Sequence, residues 1–184
     1  MNESFFKRII KLIIREYVAN NIIPRVPSVR LRMLYYRSVL GHDIGVNAKV
    51  LMGCYIYNSK CRLKIGENTV VNQNCILDPR GGLVIGRNVN ISRSVAIYTA
   101  GHLIDDANFS DFLSDVVIGD LVWIGGHSIL QPGVRVGRGA VVLPGSVVTR
   151  SVEEFRVVGG VPARVVGTRP PGIGYEINWD PIFL

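Results

Sequence analysis

Residues 118–150 read IGDLVWIGGHSILQPGVRVGRGAVVLPGSVVTR, with an aliphatic side chain at every sixth position: Ile118, Ile124, Leu130, Val136, Val142 and Val148. A helix repeats at about 3.6 residues and a strand at about 2, so neither element alone explains a beat of six. Four places after each aliphatic stands a small or β-branched residue: Val122, Ser128, Val134, Ala140, Ser146 and Val152. Around them sit Gly, Asp, Ser and Pro, which favour tight corners. The period predicts a prism. Each hexad is a short strand plus a corner, and three hexads, about 18 residues, close one triangular coil. Coils stack at about 4.8 Å with their aliphatic residues pointing to the axis. A single coil cannot bury its own inside, so coils must stack and the ends must be covered.

The beat extends backward from this run. Ile44, Val50 and Ile56 keep it, then Ile65, Val71 and Leu77, then Ile85, Ile91 and Ile97. It breaks at YTAGHLIDDANFSDFLSD, residues 98–115. The expected organisation is an N-terminal helical segment (1–42), a β-helix (43–168) with an extruded loop (103–116), and a tail (169–184) without hexads.

A chain of 184 residues, 48% hydrophobic and 19% charged, has the composition of one folded domain with an appendage. Its 20 glycines suit many turns. The cysteines, Cys54, Cys61 and Cys75, are odd in number and lack a paired Cys-x-x-Cys spacing. Reduced thiols and a cytoplasmic location are the simpler reading, with a Cys54–Cys61 bridge the alternative. Of the net charge of +7, residues 1–42 hold +6. The nearly neutral remainder argues against a broad nucleic-acid surface.

SFFKRIIKLIIREYV, residues 4–18, reads as a helix. A turn of about 100° per residue puts Phe6, Ile9, Ile10, Ile13 and Tyr17 on one face and Lys7, Arg8, Lys11 and Arg15 on the other. The ordinary expectation is that the apolar face packs on the prism. The sharper one lays residues 4–18 on an anionic membrane, as a peripheral contact at its inner face. Charges interrupt the apolar run too early for a membrane span, and no h-region marks a cleaved signal peptide. The prolines of NNIIPRVP end this helix, and SVRLRMLYYRSVLG predicts a second, placed to cover one end of the prism.

The hexads of residues 118–152, closed by VVGGVPARVVG, resemble the hexapeptide-repeat acyltransferases over about residues 43–168. Within that family the chain is similar to galactoside and maltose O-acetyltransferases. VVNQNCILDPRGGLVIGRNVNIS and IYTAGH are closer still to acetyltransferases of bacterial exopolysaccharide and capsule pathways. The resemblance implies an all-β, left-handed parallel β-helix. It also implies acetyl-CoA as donor without a metal, and a homotrimer with active sites between subunits. The acceptor would be a sugar or glycan.

Moving an acyl group from a thioester to a hydroxyl needs a base, donors for the oxyanion and a slot for CoA. Histidine, with an ordinary pKa of about 6.5, suits the first task, and His42, His102 and His127 are the choices. His102 stands at the base of the extruded segment, and the resemblance implies the same residue through TAGH. Leu103 follows it where many relatives carry Asp or Pro, so its orienting partner is open between Asp105, Asp106 and a backbone carbonyl. His127 lies inside a hexad and reads as a corner residue, and His42 reads as structural. By resemblance, the Gly126 N–H meets the oxyanion and Trp123 lines the CoA arm. Pro144, Thr149, Arg150 and Arg164 match positions that hold the nucleotide end. Asn72, Asn74, Asp78 and Arg80 match a ledge that grips sugar hydroxyls, although Asn and Asp are also ordinary corner residues.

The reading is an acetyl-CoA-dependent O-acetyltransferase acting on a saccharide by direct transfer with His102 as base. N-acetylation of an amino sugar or nucleotide-sugar is the closest alternative, since either nucleophile needs a base in the same place. A γ-class carbonic anhydrase shares the prism but would require all three histidines on one metal, and His42 lies outside the repeats. A non-catalytic scaffold of the same fold is the remaining alternative.

Overall fold

The structure, a computed structural model, describes residues 7, 9, 10, 12–57 and 63–179. Cys61 lies outside the described residues, and Cys54 and Cys75 are free buried thiols. The hexads form a three-sided parallel β-helix. Face one stacks Asp43–Ile44, Leu63–Ile65, Leu83–Ile85, Val116–Ile118 and Arg135–Val136. Face two stacks Lys49–Val50, Val70–Val71, Asn90–Ile91, Trp123–Ile124, Val141–Val142 and Arg156–Gly160, and closes with the antiparallel strand Ala163–Thr168. Face three stacks Tyr55–Ile56, Ile76–Leu77, Ala96–Ile97, Ile129–Leu130 and Val147–Val148.

The register sets aliphatic on aliphatic. Ile44, Ile65, Ile85, Ile118 and Val136 form one column, and Ile56, Leu77, Ile97, Leu130 and Val148 another. All are buried. The residues four places on, Val122 to Val152, are buried as well and fill the corners.

A coil of 18 residues is found only from Ile118 to Val136; the earlier offsets on face one are 21, 20 and 33 residues. Every added residue falls at the corner leading from face three to face one. The other two corners keep the six-residue step throughout. They are closed by backbone that few side chains tolerate. After face one, Asn47, Asn68, Asn88, Leu121, Gly139 and Phe155 stack with φ between 54° and 66°, a left-handed conformation that Asn and Gly enter most readily. After face two, Gly53, Asn74, Ser94, His127 and Gly145 do the same with φ between 59° and 74°. A column of glycines starts the first of these corners, because a Cβ on Gly66 or Gly119 would lie 2.6 or 2.8 Å from the backbone of the next coil.

Two helices cover the first coil: α1 (Ile13–Ile22), of π-type winding, and α2 (Val29–Ser38), N-capped by Ser28, whose hydroxyl accepts from the Leu31 N–H at 3.4 Å. An open coil leaves one row of backbone groups unpaired on each face. One side chain answers each row. Asn20 accepts from the Ile56 N–H at 2.9 Å and donates to the Ile56 carbonyl at 3.0 Å on face three. Buried Arg32 donates to the Val50 carbonyl at 3.2 Å on face two. Arg37 donates to the carbonyls of Ile44 at 3.0 Å and Gly45 at 2.6 Å on face one.

Helix α1 does not pack as its pattern suggested. Ile9, Ile10, Leu12, Ile13 and Tyr17 are exposed, while Arg15 reaches inward to the carbonyls of Val39 and Leu40. What the prism's open edge takes from α1 is polar groups and the small Ala19; α2 supplies the apolar contact through Val29, Met33 and Tyr36. The tail packs on the prism, along the corner between faces one and two. Arg169 and Tyr175 donate to the Leu121 carbonyl at 3.0 and 2.9 Å, and the Ile177 N–H donates to Asn88 Oδ1 at 3.1 Å. Among the described residues, no helix is long and apolar enough to cross a membrane.

Candidate active site

The corner that absorbs the extra residues holds the candidate site around His102. Its longest insertion leaves the prism as a hairpin: Ala100–His102 pairs antiparallel with Asp111–Leu113, with His102 opposite Asp111. Val116, expected in the loop, is already part of face one. Asp106 ties the turn. Its carboxylate accepts from the N–H groups of Asn108 at 3.0 Å and Ser110 at 3.1 Å, and these bonds, with Ser110 foremost, hold its carboxyl below the usual range. Asp106 therefore builds the loop and does not orient the imidazole.

That orientation comes from Asp111 and Phe109. His102 Nδ1 lies 3.0 Å from Asp111 Oδ1 and 3.2 Å from the Phe109 carbonyl, and the Phe109 ring stacks on the imidazole at 3.9 Å. A carboxylate and a carbonyl can only accept, so Nδ1 carries the proton and Nε2 keeps its lone pair. An imidazole held in this way can take a proton at Nε2.

Beneath the hairpin sits an organised polar cluster. Asp78 is fully buried, and its carboxylate takes a two-pronged contact from Arg80 at 2.8 and 3.0 Å and one from the Thr99 N–H at 3.2 Å. Burial alone would push the Asp78 carboxyl up; the Arg80 guanidinium and the backbone N–H groups outweigh it and hold the carboxyl below the usual range. Arg80 also lies over the Tyr57 ring, 5.1 Å from its centroid. Arg80, Tyr98, His102, Asp111 and Leu113 line an open cavity of about 510 Å³.

The expected acceptor ledge is split. Asp78 and Arg80 share the His102 corner, whereas Asn72 and Asn74 belong to the corner after face two. There Asn72 Nδ2 donates to the Ile91 carbonyl at 2.8 Å, and Asn74 takes the left-handed turn position at φ 59°. Trp123 and Gly126 stand along that second corner too. Trp123 is 40% exposed on face two and donates from Nε1 to Ser92 Oγ at 3.0 Å. A Cβ on Gly126 would lie 3.1 Å from the Arg93 carbonyl, and its N–H donates to no backbone carbonyl among the described residues. One chain thus holds His102 and the Trp123–Gly126 pair on different edges, with face three between them.

At the C-terminal end, Arg150 and Arg164 line a cavity of about 430 Å³ together with Arg156, which the sequence did not single out. Pro144 and Thr149 are exposed on the coil that runs from Val136 to Val152 and do not line it. His127 is an exposed corner residue at φ 61°. His42 is buried beside α2 with Nε2 unpartnered; burial, then the charge of Arg15, lowers its pKa to about 4. Among the described residues, no three His, Cys, Asp or Glu side chains gather in a metal-binding group.

Residues 115–150 match the bacterial transferase hexapeptide family (six repeats). The chain is 32% identical to the galactoside O-acetyltransferase of Escherichia coli over 126 residues, 67% of this chain and 62% of that protein. Alignments with this and another curated relative span only 54–62% of those proteins' lengths. Solved structures align more fully. A Vibrio cholerae hexapeptide-repeat acetyltransferase complexed with acetyl-CoA superposes with a TM-score of 0.80 at 28% identity, covering 92% of this chain and 93% of that one. A galactoside acetyltransferase in complex with coenzyme A superposes with a TM-score of 0.73 at 30% identity, covering 97% of this chain and 84% of that one. The chain belongs to the hexapeptide-repeat acyltransferase family. As a hexapeptide-repeat acyltransferase, it brings to the His102 corner three residues that the sequence did not single out: Asp111, Tyr57 and Tyr98. Asp111 had a signal in the sequence: a hairpin turning through DDANF sets the residue nine places after His102 directly across from it.

Proposed function

We propose that this chain transfers an acetyl group from acetyl-CoA to a hydroxyl of a saccharide, within the synthesis of a bacterial exopolysaccharide, capsule or other surface glycan. The observation that carries the proposal is the pair of acceptors, Asp111 and the Phe109 carbonyl, at His102 Nδ1. Acceptor-only partners on Nδ1 leave the Nε2 lone pair free for a proton, in a cavity that Arg80 and Tyr98 also line. Nε2 takes the hydroxyl proton as the oxygen attacks the thioester carbonyl. The tetrahedral oxyanion meets the Gly126 N–H, and its collapse expels the CoA thiolate, which recovers the proton from the imidazolium.

His102 and Gly126 lie on different edges of one prism, so this geometry calls for a neighbouring chain, as in a homotrimer with sites between subunits. Phe109, Leu113 and Ile104 on the hairpin are exposed and apolar, as a loop that covers a neighbour's groove requires. Trp123 would line the pantetheine arm, with Pro144 and Thr149 along its path. Arg150 and Arg164 would face the phosphates, for which guanidinium groups are suited. Asp78 is committed to Arg80, so Arg80, Tyr98 and Tyr57 are the groups left to meet sugar hydroxyls.

The test is thiol release from acetyl-CoA across a panel of neutral sugars, amino sugars, nucleotide-sugars and lipid-linked saccharides. Turnover with a hydroxyl acceptor supports the proposal. Turnover confined to amino groups would replace it with N-acetylation, and failure to bind CoA would end it.

A further inference from the structure

We propose that the N-terminal cap is a docking surface for an anionic lipid bilayer. The inward face of α2, through Arg32, Met33 and Tyr36, sits on the first coil. Leu31 and Leu34 lie about 200° around the helix from Met33 and Arg32, so they point away from the prism along its axis, and both are more than half exposed. Ile13 and Tyr17 of α1, and Ile9, Ile10 and Leu12 just before it, are exposed as well. An apolar trough of about 480 Å³ is lined by Ile23, Val26, Leu31, Leu34, Tyr35 and Val39, and Val39 also lines a second hollow together with Ile10 and Ile14. A contiguous apolar patch on a soluble surface marks an interaction site.

Charge decides the occupant. Residues 1–42 carry +6 while the other 142 residues carry only +1. Arg25 and Arg30 are exposed on the cap. Arg37, also exposed, donates to the backbone carbonyls of Ile44 and Gly45, which hold its guanidinium group in place without neutralising it. Exposed aliphatic side chains mixed with cations on one end of a rigid column are the complement of an acidic lipid headgroup layer. A second copy of the chain would bring the same positive charge to the contact and is disfavoured on that ground. Parallel prisms in a trimer would set three such patches in one plane. The hairpin bearing His102 leaves the third coil, about 10 Å above the first, so an acceptor carried on a lipid would reach it from the same side.

The experiment is flotation of the full chain with vesicles of pure phosphatidylcholine, or of equal parts phosphatidylcholine and phosphatidylglycerol, without acetyl-CoA or acceptor. Its outcome is therefore independent of catalysis. Wild type should partition at least about tenfold better onto the anionic vesicles, and raising salt to about 1 M, where the Debye length is about 3 Å, should weaken the binding. Ile13→Glu with Leu34→Glu should lower partitioning at least tenfold. Arg25→Glu with Arg30→Glu should lower it at least about 25-fold, since each basic group near the surface contributes about fivefold. All four positions are exposed, so circular dichroism melts should match wild type. No partitioning onto anionic vesicles at low salt would overturn the proposal, as would unchanged partitioning of both double variants. If Ile13→Glu instead lowers the mass seen by light scattering while wild type ignores vesicles, the patch is a self-contact and the proposal fails.

Discussion

Asp111→Asn tests whether the imidazole is held by charge as well as by geometry. The carboxylate lies 3.0 Å from His102 Nδ1, with side-chain exposures of 79% for Asp111 and 46% for His102. A unit charge pair at that distance in water's dielectric is worth about 1.4 kcal/mol, or about tenfold in rate. Taking the acceptor's proton places a positive charge on the ring beside the carboxylate, so the loss should fall on kcat and leave the KM for acetyl-CoA unchanged. The Phe109 carbonyl remains at 3.2 Å to hold the ring and its tautomer, which is why the effect stops near tenfold. Steady-state thiol release from acetyl-CoA, with the best acceptor from the panel, measures both constants. A variant within about twofold of wild type would show that Asp111 does not stabilise the imidazolium. A loss beyond about 10³-fold would refute the assignment of a screened, exposed pair.

Gly119→Ala should lower the melting temperature by about 2–12 °C, because overpacking costs about 1–3 kcal/mol and this chain loses about 2–4 °C per kcal/mol. The new Cβ would sit 2.8 Å from the Arg138 backbone nitrogen, whereas Gly172→Ala meets open space and should melt like wild type; equal melting of the two variants would contradict the close-stacked corner. His42 is lowered from 6.5 to about 4, chiefly by burial. Between those values the unfolded chain binds a proton that the folded chain refuses, so stability should fall by up to about 3 kcal/mol as pH drops from about 6.5 to about 4. Urea unfolding across that range should show the slope in wild type and lose it in His42→Leu. An unchanged slope would place its origin elsewhere.

The six-residue beat was readable because a stacked coil puts each aliphatic on its own kind. Ile65, Ile85 and Ile118 meet the same neighbours in every layer, so the pattern needs no long-range information. The insertions were visible as slips after every third hexad, and stacking the coils sets all three of them at the corner from face three to face one. His102 was legible for the same reason: it stands where the beat fails. Its partner was not, because antiparallel pairing across the loop sets Asp111, not the nearer Asp105 or Asp106, beside the ring. Asn72 and Asn74 matched a sugar-binding ledge by spacing, but Asn74 fills a left-handed corner position that nearly every coil requires. Amphipathic periodicity correctly marked two faces of α1 and misassigned which one turns inward. The prism's end presents carbonyls and N–H groups, which Asn20 answers at Ile56, while Arg15 reaches the Val39 and Leu40 carbonyls at the end of α2. The trio Asn20, Arg32 and Arg37, one for each face, had no signal in a pattern read by hydrophobicity.

The most direct test is turnover by His102→Ala alongside its affinity for CoA, the latter by calorimetry. Loss of the base should lower kcat by about 10²–10⁴-fold while CoA binds as it does to wild type. Turnover within about twofold of wild type would contradict His102 as the base.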